Sequence, residues 1–161
     1  MPRTTTFVKD VDNEMALLLA IAVERAHPCL PYPPHVVAAL ETAYCTHFRA
    51  FMEFVHNGRP SPSTYPPRSA KQNRKDILLN DLAGKSLTVP WTRDELRRFA
   101  AADKLGAHLS RGRALRRRTK RYWGDASDHS LIVPRIKETF QHVPAAKQLF
   151  PRTAKLLPLF P

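Results

Sequence analysis

The chain has 161 residues, enough for one domain with a buried core and too few for two comfortable ones. Hydrophobic residues make up 43% and charged residues 25%, which excludes a disordered or collagen-like chain. Its 26 Lys and Arg outnumber 14 Asp and Glu, and the resulting +12 favours RNA, DNA or another polyanion as partner.

The two cysteines, Cys29 and Cys45, show no CxxC or Cys/His metal spacing. That usage fits a reducing compartment, not a disulfide framework, and no metal or cofactor is expected. The longest apolar run, Met15 to Val23, is nine residues, well short of the ~20 that span a bilayer. Asp10, Asp12 and Glu14 precede it, where a signal peptide carries positive charge. The expectation is a cytoplasmic protein without a membrane anchor.

The first predicted helix runs from about Asp12, as its cap, to Ala26, with Pro28 as its stop. Its middle is apolar almost all round, which predicts a central place in the fold. The second helix starts at Pro33-Pro34 and stops at Asn57-Gly58. Between them Val36, Leu40, Ala43, Tyr44, Phe48, Phe51, Phe54 and Val55 form one stripe at helical spacing. His47 lies near the middle of that stripe and Arg49 on the opposite face.

From about residue 58 to 75 prolines are frequent and aliphatic periodicity is absent, which predicts a flexible loop. Asp76 to Ala83 predicts a helical turn ending at Gly84. Thr92-Arg93-Asp94-Glu95 reads as a capping box that opens a third long helix carrying Leu96, Phe99, Ala102, Leu105 and Leu109. That helix either continues to about Arg121 or breaks at Gly112. A last helix is predicted between Asp128 and Val143, with Pro134 in its first turn or kinking it. The remaining residues, 144–161, hold four prolines and read as an irregular tail. The pattern predicts an all-α bundle of four to five helices over residues 1–143.

Two stretches pair histidine with arginine, THFRAFMEFVHNG around His47, Arg49 and His56, and GAHLSRGR around His108. Imidazole titrates near neutrality and can serve as acid or base in RNA cleavage, while arginine can hold the phosphate. The same groups serve equally well as hydrogen-bonded scaffold. After His108 comes the strongest charge feature, LSRGRALRRRTKRYW, with seven Lys or Arg in 15 residues and no acid. Arg111, Arg113, Arg116, Arg117, Arg118, Lys120 and Arg121 are the candidate nucleic-acid contacts. Tyr122 and Trp123 follow, suited to stacking on bases or to anchoring the strip. No Walker A, GxGxxG, GxSxG or HExxH pattern occurs.

Ala39-Leu40-Glu41 through His47-Phe48-Arg49 to Phe54, then Asp76-Ile77-Leu78 and Ala107-His108-Leu109-Ser110, resembles a group of uncharacterised bacterial helical proteins. Those proteins look similar to the HEPN (higher eukaryotes and prokaryotes nucleotide-binding) bundles, and the resemblance covers about residues 12–142. It implies a homodimer packed through the helices near His47 and His108. Many HEPN ribonucleases carry an arginine and a following histidine with four to six residues between them, which here has two counterparts, Arg49-x6-His56 and Arg135-x6-His142. With 17 arginines and seven histidines in the chain, about two such spacings arise by chance. Three functions remain open at this point: a non-catalytic RNA-associated protein, a metal-independent endoribonuclease of toxin or phage-defence type, and a protein-interaction module.

Overall fold

The computed structural model describes residues 3–26, 32–58, 78–107 and 126–160, and among them every regular element is helical. In chain order these are α1 (Arg3–Ala26), α2 (Pro34–Val55), α3 (Leu79–Ala83), α4 (Arg93–Ala107), α5 (Ala126–His142), α6 (Ala146–Leu149) and α7 (Pro151–Leu156). A 3-10 turn, Leu157–Leu159, closes the set. The all-α expectation is met, with seven helices among the described residues.

α1 begins at Arg3, about nine residues before the sequence-based start. Val8 and Val11 continue the apolar pattern and pack on the core, so the helix has reason to begin early. Asp12 therefore lies inside α1 and cannot cap it. Its carboxylate instead accepts from the backbone N–H groups of Arg152 (3.1 Å) and Thr153 (3.0 Å), capping α7 across 140 residues of chain. The helix is not buried all round either: Met15, Leu18, Leu19 and Ala22 face inward, while Leu17 is 42% exposed.

α2 matches its predicted limits because both are local. Pro33 and Pro34 occupy the first turn, where a missing N–H costs nothing. At the other end Gly58 N–H donates to Glu53 O (2.8 Å) and Asn57 N–H to Phe54 O (3.3 Å), a Schellman motif. Asn57 holds the left-handed position at φ 55°. Its side chain then joins three segments: Nδ2 donates to Leu87 O (3.2 Å) and Oδ1 accepts from Asn80 N–H (2.9 Å). Asn80 Oδ1 in turn accepts from Leu87 N–H (2.7 Å). Asn57→Ala loses these bonds and meets the left-handed penalty, a combined cost of about 2–3 kcal/mol. Asn57→Gly keeps the backbone comfortable and is expected to lose about 1 kcal/mol less. Urea midpoints of the two variants check the order.

α3 ends at Gly84 in the left-handed conformation, and its Asp81 carboxylate accepts from Leu78 N–H (2.8 Å). α4 opens on the capping box read from the sequence: Thr92 N–H donates to Glu95 Oε2 (2.7 Å) and Glu95 N–H to Thr92 Oγ1 (3.2 Å). α5 starts two residues before its predicted limit and carries Pro134 in its interior, with Ile132 and Ile136 buried.

The expectation of an irregular tail is corrected. Residues 146–159 form α6, α7 and the 3-10 turn, and α7 packs along α1. Phe150 and Thr153 are fully buried, with Thr153 Oγ1 donating to Asp12 Oδ1 (2.8 Å). Pro151 sits at the first position of α7, so this proline starts a helix where it seemed to forbid one. The core they complete runs from Met15, Leu18 and Leu19 through Tyr44, Phe48, Phe51 and Met52 to Phe99, Ile136 and Phe150.

Candidate functional site

Helical geometry separates the histidines of α2 before any packing is considered. Nine residues at about 100° each put His47 and His56 on opposite faces, whereas Arg49 and His56 lie within about 20° of one another. His47 turns to α1, where Nδ1 pairs with the Glu14 carboxylate and both side chains are half-buried. Arg49 has the Glu53 carboxylate one turn further along α2 at 3.9 Å. His56 faces α4 and its side chain is fully buried.

Around His56 the structure assembles a cluster that the sequence did not disclose. Its Nδ1 donates to the Val89 carbonyl at 2.8 Å. The ring stacks on Trp91 with centroids 3.9 Å apart and planes 18° from parallel. Its Nε2 stands 3.6 Å from Glu95 Oε2. Trp91 meets Phe99 edge-on at 5.1 Å, which ties the pair to the core.

Glu95 is the hub of the cluster. Its side chain is 3% exposed and receives Arg135 in a two-pronged grip, Nε to Oε1 at 2.6 Å and Nη2 to Oε2 at 3.0 Å. Arg135 also donates to Glu138 Oε2 (2.7 Å) and to Pro90 O (3.1 Å). His142 follows one turn after Glu138, with Nε2 3.9 Å from Oε1. Burial alone raises the Glu95 carboxyl; the His56 ring, the Arg135 guanidinium and Thr92 outweigh it and hold it well below the usual carboxylate range. Hydrogen bonding to Glu95 raises Arg135 in turn, so the pair stays charged at any working pH.

A second buried pair links α4 to α5. Arg98 grips Asp128 with Nε on Oδ1 and Nη2 on Oδ2, the latter at 2.6 Å. The Asp128 side chain is 1% exposed. Of these groups the sequence marked Glu95 and Asp128 only as helix starters and Arg135 only through a spacing; Trp91 and Glu138 it did not mark at all. The i, i+3, i+7 placement of Arg135, Glu138 and His142 on one face of α5 is the one signal that pointed there.

No family model, curated protein sequence or solved structure matches the chain.

Of the sequence-predicted site residues, three are described: His47 turns to α1, whereas Arg49 and His56 lie on the other side of α2. Arg49 and His56 share a face of α2, but the His56 side chain is fully buried against Trp91 and Glu95. Arg135 and His142 are separated by Glu138, which answers both. His108 and the strip Arg111, Arg113, Arg116, Arg117, Arg118, Lys120 and Arg121 lie outside the described residues. Among the described residues no group of three His, Cys, Asp or Glu side chains is placed to hold a metal ion, and no helix is long and apolar enough to cross a membrane.

Charge divides unevenly along the chain. Segments 59–77 and 108–125 hold 12 of the 26 Lys and Arg and only two of the 14 acids. The other residues carry 14 cations against 12 acids, close to balance. Several of those cations are engaged within the fold, Arg97 with Asp94, Arg98 with Asp128, Arg135 with Glu95 and Glu138. The bundle neutralises itself, and the excess charge belongs to two short segments.

Proposed function

We propose that this chain is a non-catalytic, HEPN-like cytoplasmic helical protein that associates with RNA or another polyanion through Arg111 to Arg121. The charge division carries the reading. A scaffold near electrical balance gives a polyanion little to hold, whereas seven cations within 11 residues give it a strip of phosphate contacts. Positive charges so closely spaced repel one another, and a polyanion relieves that repulsion.

The ribonuclease reading finds less support in the geometry. Cleavage needs an arginine free to meet phosphate and a histidine able to reach a ribose hydroxyl. Arg135 is already neutralised by two carboxylates, and His56 has no exposed side-chain surface.

Binding of a labelled single-stranded RNA, followed by anisotropy across a salt series, tests the proposal. Each phosphate contact contributes about 0.7 to the slope of log K against log salt, so seven contacts give a slope up to about −5. Replacing Arg116, Arg117 and Arg118 with Gln is expected to flatten the slope by about 2 and weaken binding at least about tenfold, without moving the unfolding midpoint. A flat salt dependence, or equal affinity of the triple variant, overturns the reading. The RNA is expected to be recovered intact without magnesium.

A further inference from the structure

Among the described residues two non-glycine residues hold a positive φ, Asn57 and Ala145, both at 55°. Asparagine tolerates that conformation; alanine, whose Cβ crowds the following carbonyl oxygen, does not. Ala145 lies in the short connection between α5 and α6, a turn closed by Ala146 N–H donating to Val143 O (3.2 Å). Pro144 suits its place in such a turn, but the position after it calls for glycine or asparagine. The Ala145 side chain is exposed, so no packing offsets the strain.

Beyond this strained turn, residues 146–160 form an arm that cannot keep its shape alone. α6 has four residues and α7 six, well below the ~12–15 at which isolated helices persist in water. The arm is ordered by its seat on α1 and α5. Phe150 is buried with its ring 5.8 Å from that of Phe140, and Phe160 meets His129 edge-on at 5.9 Å. On α1 the Asp12 carboxylate accepts from Arg152 N–H, Thr153 N–H and the Thr153 hydroxyl. Asp12 is itself 3% exposed. Lifting the arm strips this carboxylate of three donors and takes Phe150 from the core, so an empty seat is costly.

We propose that the arm is exchangeable: residues 146–160 of one copy seat on α1 and α5 of a second copy, and the reciprocal arm completes the first. Pro144 and Ala145 are the hinge. Every copy carries both arm and seat, so the contacts that close the monomer also close a two-fold dimer. What differs between the two forms is the hinge. A connection that runs between copies needs no tight turn, and Ala145 returns to an ordinary φ in both chains. Strain at the hinge favours exchange, the entropy of joining two chains opposes it, and protein concentration sets the balance.

The test unfolds the full chain in urea, refolds it at low and at high protein concentration, and sizes the products by light scattering. Monomer is expected from the dilute sample and dimer from the concentrated one, with the dimer persisting on dilution because exchange requires the arm to unseat. Ala145→Gly removes the strain and is expected to lower the association constant about tenfold per hinge, about a hundredfold for the pair. A second readout locates the arm. Arg152 and Asn13 touch through their side chains, so one population carries Asn13→Cys and the other Arg152→Cys. Both carry Cys29→Ser, and the remaining Cys45 is buried. After refolding together at high concentration, a short bismaleimide is expected to join the two populations. Monomer at every concentration, a dimer without that link (one packed through the helices near His47, for example), or a dimer yield unchanged by Ala145→Gly overturns the proposal. No polyanion enters either measurement, so the outcome is independent of RNA binding.

Discussion

Glu95→Ala is expected to cost about 3–5 kcal/mol, because it empties the buried Glu95 position and leaves the half-buried Arg135 guanidinium facing Glu138 and a carbonyl only. The same change opens the cap on α4 and removes the carboxylate in front of His56. Glu95→Gln separates these losses. Glutamine also closes a capping box, so the variant should recover about 1 kcal/mol and keep the start of α4, yet still lack the charge that holds Arg135. Urea unfolding followed by circular dichroism gives both values, and an unchanged dependence on denaturant would show that the unfolded state is not what moved. A loss below about 1 kcal/mol for the alanine variant would mean that Arg135 finds another partner.

Glu95 also fixes the acid limb. A carboxyl lower in the folded than in the unfolded chain stabilises fully above its unfolded value, near 4.5, and loses that contribution as pH falls toward the folded value. The wild type should therefore lose stability from about pH 4.5 downward, and the Glu95→Gln variant more gently. Equal acid limbs for the two would place the loss in other carboxyls.

What the sequence disclosed and what it hid differ in range. Pro33-Pro34, Asn57-Gly58, Gly84 and the Thr92 to Glu95 box act on neighbours within a few residues, and each ends or starts a helix where it was read. Asp12 was misread because its ligands, Thr153 and the Arg152 amide, come 140 residues later; nothing local distinguishes a carboxylate that caps its own helix from one that caps another. The tail failed for a related reason: proline density suggests irregularity unless one knows that Phe150 and Thr153 are buried against α1. For the candidate site, residue type alone selected His47, Arg49 and His56. Their partners were set by which helix each face meets. His47 reached Glu14 and His56 reached Glu95.

Arg98→Met is expected to cost about 3–5 kcal/mol, since it withdraws the guanidinium from a carboxylate that is 1% exposed. Replacing both partners, Arg98→Met with Asp128→Leu, should return most of that loss, because an apolar pair of similar volume avoids the desolvation that the ion pair must overcome. A double-mutant cycle on unfolding free energies would then give a coupling above about 2 kcal/mol, and simple additivity would contradict the pairing. The cycle also bears on function. α4 is described as far as Ala107 and α5 from Ala126, so the Arg98–Asp128 pair ties together the two helices that flank the basic strip in sequence. If the strip binds polyanions through its charge alone, the double variant should keep the wild-type salt slope while the single variant binds equally well below its own unfolding temperature. If instead the spacing of the two helix ends shapes the strip, affinity should fall in the single variant and recover in the double, at constant slope. Either result separates the charge of residues 111–121 from the scaffold that presents it.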